Sequence, residues 1–389
     1  MKIRKIRDLW HSITKSKYRL ASASALVKAA AVYYAKDIVE TIGYIFSVKC
    51  SGNSLEIAGA VAPFDGDPVD DFMVYLRGKP LPVAACDKNL PSPDFEKEFP
   101  DLRSSDRSGF RIQIRISDCK KIDDYLFFVC PLIKGRPGNV MTGMSLPEGL
   151  SLPSQKDIKS IGGNFYIAGM EFLGHLIKYV DLRPDDHILD VGCGVGRLAY
   201  PLSLYCSKDS SYEGFDIWDA GISWARNNIS SRNPNFGFRK VDVFNKQYNP
   251  TGSVRPSEFV FPYQDRSFDV VFLTSVFTHM YAEDARHYLQ EIYRVLKPGG
   301  RCLLTCWLLN NESSSLMEKG KTHLKFIYKL NECYTADRET PENAIAFDED
   351  LMMKWILQTH FSLRAKHYGY WCGRSRYASY QDIVVIVKK

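Results

Sequence analysis

The chain has 389 residues, 45% hydrophobic and 25% charged, the composition of a soluble globular protein too long for one ordinary core. Its net charge of +6 sits at one end: residues 1–20 hold seven Lys/Arg and one Asp, which leaves 44 basic and 44 acidic residues in the rest. So neutral a body does not suit a dedicated nucleic-acid binder, and the absence of some 18 consecutive apolar residues excludes a bilayer-crossing helix.

Residues 1–43 read as a basic amphipathic helical segment. Ile3, Ile6, Trp10, Ile13 and Leu20 recur at helical spacing, with Arg4, Lys5, Arg7 and Lys15 around them. Two uses fit this pattern: docking on the protein itself or on a partner subunit, and weak adsorption to an anionic membrane surface. The polar, basic start does not read as a signal peptide, so a cytoplasmic location is expected, with optional contact to the inner face of the membrane. The ten cysteines form no Cys-x-x-Cys pair and have no His at ligand spacing, so buried thiols are expected rather than a metal site. Cys302 and Cys306, four apart in a strand, fall on one face and read as core.

Residues 44–138 change character. Runs such as TIGYIFSVKC, SLEIAGAVA, FMVYLRG, GFRIQIRI and DYLFFVCPL are rich in β-branched and aromatic residues and are separated by turn clusters, which predicts a small antiparallel β-sandwich. The acidic turn of Asp65, Asp67, Asp70 and Asp71 lacks a full calcium-ligand pattern and reads as a solvated turn. A Gly/Pro/Ser-rich linker covers 139–159. From residue 160 to 389, strands alternate with helices, the pattern of a doubly wound α/β sheet.

The strongest chemical signal is HILDVGCGVGRLAYPL at 187–202. An apolar strand ends in glycines that let a ligand approach the backbone and opens a helix whose amino terminus favours a carboxylate. A dinucleotide site would need glycine at 197, where Arg197 stands; the pattern is instead D-x-G-x-G-x-G, led by Asp190. A second strand ends at Asp216. A carboxylate there can accept both ribose hydroxyls of an adenosyl group, with Ile217 packed on adenine; capping the following helix is compatible with the same position. Asp242 follows a third strand, where it can accept from the adenine amino group. SFDVVFLTSVFTHM supplies a fourth strand, and EDARHYLQEIYRVLKPGGRCLLTCWLL a helix, a glycine turn and a fifth strand.

Together these segments resemble the class I S-adenosylmethionine-dependent methyltransferase family from about residue 160 to the end. The resemblance implies a seven-stranded, Rossmann-like sheet that binds S-adenosyl-L-methionine over the ends of its first four strands. The matching positions are Asp190, Gly192, Gly194, Gly196, Asp216, Ile217, Asp242, Val243 and the backbone of Leu273, Thr274 and Ser275. His279 follows the fourth strand, on the side where the family places the methyl group. It is the candidate general base, with Thr278, Tyr281, Glu283, Trp307 and Asn310 as expected neighbours; capping the following helix or a hydrogen bond to a backbone carbonyl is the alternative role for its ring. Phe165 and Tyr166 either cover the cofactor or serve a core. Two insertions, 245–265 and 310–344, read as lids that set substrate choice.

The segment LEIAGAVAPFDGDPVDDFMVYLRGKPLPVA, with FEKEFPDLRSSDRSGF, resembles a β-sandwich module found beside enzymes of bacterial surface-polysaccharide biosynthesis. The expected activity is O- or N-methylation of a small molecule or a glycan sugar. Two alternatives stay open: a nucleic-acid or protein methyltransferase, and a non-catalytic S-adenosylmethionine-binding protein acting through its β-sandwich. No Asn/Asp-Pro-Pro-Tyr tetrad follows the fourth strand, and no Pro-Cys pair supplies a cytosine-attacking thiolate.

Overall fold

The computed structural model describes residues 38–76, 79–116, 125–145, 152–154, 164–322 and 324–389. The basic stripe of residues 1–20 lies outside them. The described residues form two compact units: one holds those up to 154 with 164–184 and 200–206, the other those of 185–199 and 207–389.

In the first unit, β1 (Thr41–Ser51), β2 (Ser54–Pro63), β6 (Gly109–Arg115) and β5 (Val83–Leu90) make one antiparallel sheet in that order. A second antiparallel sheet runs β4 (Lys79–Leu81), β3 (Asp71–Leu76), β7 (Leu126–Ile133) and β8 (Arg136–Pro137), with β9 (Met141–Met144) also paired to β7. Alternation aims Leu55, Ile57, Ile112 and Ile114 of the first sheet and Phe72, Val74, Phe127 and Val129 of the second into one core. The short α1 (Pro93–Glu98) adds Phe95, whose ring lies edge-on to Tyr44. The acidic turn is tied down by protein groups: Asp67 pairs with Lys134, and Asp70 accepts from the Gly135 N–H.

Two boundaries differ from the sequence reading. Thr41–Gly43, placed at the end of the helical segment, belong to β1. Met141–Met144, placed in the linker, form β9: Met141 fills the core, and glycine at 143 lets this strand lie against Ile45, whose Cδ1 would stand 2.9 Å from a β-carbon there. The helix α2 (Phe165–Val180) also packs within this unit. Asn164 caps it by accepting from the Tyr166 and Ile167 N–H groups, and Met170, Leu173, Leu176 and Ile177 recur on its buried face. The Tyr166 hydroxyl bonds both the N–H and the carbonyl of Met144, and Phe165 is buried, so of the two roles open to this pair the core role is the one observed.

The second unit is built on a seven-stranded sheet. Its order is β12 (Phe236–Lys240), β11 (Ser211–Asp216), β10 (His187–Val191), β13 (Phe268–Leu273), β14 (Leu296–Cys306), β20 (Asp382–Lys388) and β19 (Phe361–His367). The first five are parallel, and β20 is antiparallel to both of its neighbours. The Lys-Pro-Gly-Gly stretch loops out of β14, since pairing jumps from Phe268–Leu296 to Val270–Arg301. Between β13 and β14, α5 (Ala282–Val295) buries Ala285, Leu289, Ile292 and Val295 against the sheet, spacing that gives one apolar face and about 1.5–3 kcal/mol for each large aliphatic side chain. Cys302 and Cys306 are both fully buried in this core. The helix α3 (Ala199–Tyr205) belongs to the first unit from residue 200 on, and the short helices of the second unit are α4 (Asp219–Ala225), α6 (Asn311–Glu318) and α7 (Glu349–Gln358). A small second sheet runs β15 (Leu308–Leu309), β18 (Ile345–Asp348), β17 (Cys333–Thr335) and β16 (Tyr328–Leu330).

The chain leaves β10 toward β11 and β12 on one side and later returns to β13 and β14 on the other. The strand order therefore reverses at β10, and the crevice beyond the carboxyl ends of β10 and β13 is where such a sheet accepts a ligand.

Candidate functional site

At that crevice β10 delivers Asp190 and then the glycine loop. Gly192, Gly194 and Gly196 all take positive φ, of 79°, 54° and 75°, a region that costs other L-residues about 1–2 kcal/mol. The loop does not turn straight into a helix, because α3 begins only at Ala199. Its N–H groups are instead bound to β11: those of Gly192 and Cys193 donate to the Phe215 carbonyl, and that of Gly194 donates to Asp216 Oδ2 at 2.7 Å. The other Asp216 oxygen accepts from the Trp218 N–H at 2.8 Å. Asp216 thus pins the glycine loop and the start of the next element together. Burial pushes its carboxyl pKa up, opposed by these two bonds.

Asp190 is almost fully buried. Its Oδ2 accepts from the Tyr212 hydroxyl at 2.6 Å, while Oδ1 has no hydrogen-bond partner. Burial pushes this carboxyl up to about 8, against the stabilising Tyr212 hydroxyl. An unpaired buried oxygen costs about 1–3 kcal/mol, so it marks a place where a ligand's donor would be gained at low cost.

These groups open on one cavity of about 1270 Å³, lined by Asp190, Gly192, Gly194, Asp216, Ile217, Val243, Thr274, Ser275 and His279. That exceeds the roughly 300–1,000 Å³ of a pocket for one drug-sized ligand, leaving room for two. Ser275 holds a left-handed φ of 59°, fixed by its N–H to Thr305 Oγ1 at 2.8 Å and its hydroxyl toward Gln381 Oε1.

Three of the sequence-selected positions do not line the cavity. The Asp242 carboxylate is exposed and bound to the hydroxyl and N–H of Ser253, which hold its pKa low, so it is not turned toward an adenine. Leu273 is fully buried in the sheet core. Gly196 serves packing: a β-carbon there would stand 2.6 Å from Ile229 Cδ1. Gly192 makes a similar close approach on the cavity side, where a β-carbon would meet Val276 Cγ2 at 2.5 Å.

His279 lies in a short 3-10 turn (Phe277–His279) after β13 and lines the cavity. Its Nδ1 is 2.7 Å from the Glu342 carbonyl, and the Tyr248 ring stands edge-on at 6.0 Å. A carbonyl only accepts, so Nδ1 carries the proton and the neutral ring keeps a lone pair on Nε2. Burial lowers the His279 pKa below its ordinary 6.5, so the ring is neutral at pH 7. The bond to a carbonyl and the place in the cavity therefore coexist. Of the expected neighbours, Tyr281 and Glu283 line the cavity. Thr278 and Trp307 are buried in packing instead, and Asn310 caps α6 and bonds Glu349.

Sequence reasoning missed several lining residues. Arg197 and Trp218 flank the glycine loop; Tyr248, Arg255 and Glu258 come from the first insertion; Glu332 and Glu342 come from the second; Asp284 and Arg286 come from α5. Arg286 is engaged by Glu332 at 2.8 Å. Asp284 is pushed up to about 6 by burial, with Glu283 and Glu342 adding to the rise, which makes it a second group able to exchange a proton near neutrality. The only advance signal for it was an acid in the first turn of a helix, and helix-dipole complementarity explains that equally well.

Residues 189–304 match the protein family described as methyltransferase domain. The chain is 26% identical over 137 residues to phosphoethanolamine N-methyltransferase 3 of Arabidopsis thaliana, covering 35% of this chain and 24% of that protein. It is 24% identical over 230 residues to a sterol 4-C-methyltransferase of Caenorhabditis elegans, covering 53% and 61%. A solved S-adenosylmethionine-dependent methyltransferase of Methanosarcina mazei aligns with 53% of this chain and 94% of its own, at 25% identity and a TM-score of 0.36. Residues 189–304 thus carry a methyltransferase domain, and the chain spans less than two thirds of the length of these two curated relatives.

Proposed function

We propose that the whole chain is an S-adenosylmethionine-dependent methyltransferase that methylates an oxygen or nitrogen of a small molecule or a glycan sugar. The observation that carries this reading is the single cavity running from the glycine loop, Asp190 and Asp216 to the His279 ring. When bound, S-adenosylmethionine supplies an activated methyl group on a sulfonium. Asp190 Oδ1, buried and unpaired, suits a ligand ammonium, and Ile217 and Val243 offer apolar surface to a ring. Asp216 holds the loop and keeps lone pairs for hydroxyl donors. His279 Nε2 takes the acceptor's proton.

A cavity with room beyond one ligand favours catalysis over a purely binding role. Glu258, Glu283, Asp284, Glu332 and Glu342 outnumber Arg255 and Arg286 among the lining residues that follow the glycine loop and β11, which disfavours a polyphosphate acceptor such as a nucleic acid. The names of the two curated relatives refer to small-molecule acceptors, phosphoethanolamine and a sterol. We read the first unit as an accessory β-sandwich module and residues 1–20 as a basic segment able to meet an anionic surface. The test is incubation of the full chain with S-adenosylmethionine and fractionated cell metabolites, glycans and lipids, read by mass spectrometry. A product heavier by one methylene supports the proposal; formation of S-adenosylhomocysteine only with added RNA, DNA or protein would replace it.

A further inference from the structure

His279 is held from both insertions, and both contacts meet at one residue. Glu342 lies in a 3-10 turn (Pro341–Asn343) of the second insertion, and its backbone carbonyl accepts the Nδ1 proton of His279. Its side chain turns the other way: Oε2 accepts the Lys246 N–H of the first insertion at 3.0 Å. Lys246 is two residues from Tyr248, whose ring faces the same imidazole.

Each side of this latch is braced by its own hydrogen bonds. Asn245 Oδ1 accepts from the Gln247 and Tyr248 N–H groups, and its backbone pairs with Asn249. On the other side Asp337 accepts from the Glu339 and Thr340 N–H groups and from Asn343. The buried Thr335 hydroxyl bonds the Asp337 N–H and lies 3.0 Å from the Pro341 carbonyl, next to Glu342. Among the described residues, two internally hydrogen-bonded loops therefore meet through the Glu342 side chain, over the ring read as the base.

We propose that Glu342 is a positioning residue: its carboxylate ties the first insertion to the second, and this closure holds its own carbonyl on His279 Nδ1 so that Nε2 is presented as the lone pair. The proposal rests on the reading of His279 as the proton acceptor. Glu342 itself passes no proton in it. The side chain acts through reach rather than through charge, and two conservative substitutions separate these: Glu342→Gln keeps the length and an acceptor oxygen but loses the charge, whereas Glu342→Asp keeps the charge and is one methylene too short.

The experiment uses the full chain, without cofactor or acceptor. Ring-nitrogen NMR reads the His279 tautomer, assigned by His279→Ala, and hydrogen exchange reads the Lys246 amide. Wild type and Glu342→Gln are expected to hold the proton on Nδ1 and to protect Lys246. Glu342→Asp and Glu342→Ala are expected to exchange Lys246 about fivefold faster or more, the worth of one net hydrogen bond, and to give mixed tautomers. Should Glu342→Ala fail to fold, the Asp and Gln pair decides the question alone. Wild-type tautomer and protection in Glu342→Asp would overturn the proposal, as would mixed tautomers in Glu342→Gln. Neither readout depends on turnover, so failure of the base assignment, seen as full activity in His279→Ala, stands apart from failure of the latch.

Discussion

Asp216→Ala removes one carboxylate that does two things in the absence of any ligand. It accepts the Gly194 N–H at 2.7 Å and the Trp218 N–H at 2.8 Å. Charge-assisted bonds contribute about 1.5–3 kcal/mol each when the freed partner stays dry. Here Gly194 and Trp218 are only partly buried, so water replaces much of the loss, and about 2 kcal/mol for the pair is the reasoned figure. For a unit of this size that lowers the melting temperature by about 4–8 °C. The effect on ligand affinity is separate. The loop loses its fixed conformation and the ligand loses a charged acceptor, so the dissociation constant for S-adenosylhomocysteine should rise at least about tenfold, or about 1.4 kcal/mol. Calorimetric titration and thermal unfolding of the same preparation measure both. A variant that melts several degrees lower yet binds within twofold of wild type would refute the placement of the cofactor at Asp216. Weakened binding with an unchanged melting point would refute the structural half of the reasoning.

The Asp190 carboxyl, pushed up to about 8, is protonated at pH 7 in the free protein. If a ligand ammonium meets it, binding of S-adenosylhomocysteine at pH 7 should release close to one proton, seen as a dependence of binding heat on buffer ionisation enthalpy, and Asp190→Asn should abolish the release. Because this folded pKa lies above the unfolded value of about 3.9, the native state keeps a proton that the unfolded chain gives up. Stability therefore falls as pH rises from about 4 to about 8, and urea titrations should show a flatter pH dependence in Asp190→Asn. Gly196→Ala adds a β-carbon 2.6 Å from Ile229 at a φ of 75°, so it should cost about 1–3 kcal/mol in urea unfolding while changing ligand affinity less than about threefold. His279→Ala should keep affinity for S-adenosylhomocysteine and lose about 100-fold in methyl transfer to an identified acceptor. Since burial lowers the His279 pKa, the acid limb of the wild-type rate profile should lie below pH 6.5.

The α/β order was legible because each strand of the second unit is a short apolar run closed by a turn signal, and Gly192 and Gly194 occupy φ values that favour glycine. The two glycines nearest the helix looked alike in sequence yet differ in space, since the neighbour that demands Gly196 is Ile229, 33 positions away. Asp242 illustrates the same limit: its position after a strand is local information, but the Ser253 that captures its carboxylate belongs to an insertion with no periodic pattern. β9 was hidden because Met-Thr-Gly-Met sits in a Gly/Pro-rich stretch whose composition signals turns, while its pairing with β7 is a tertiary fact. The insertions could be recognised by length; that 328–335 forms a hairpin and delivers Glu342 to His279 could not, because the carbonyl involved leaves no trace in residue identity.

The most direct test of the account is titration of the full chain with S-adenosylhomocysteine, beside Gly194→Val. Gly194 lines the cavity at a φ of 54° and donates its N–H to Asp216, so a branched side chain there both strains the loop and fills ligand space. Saturable one-to-one binding by the wild type, weakened at least about tenfold in a folded Gly194→Val protein, is the predicted result. No saturable binding by the wild type, or equal affinity in the variant, would contradict it.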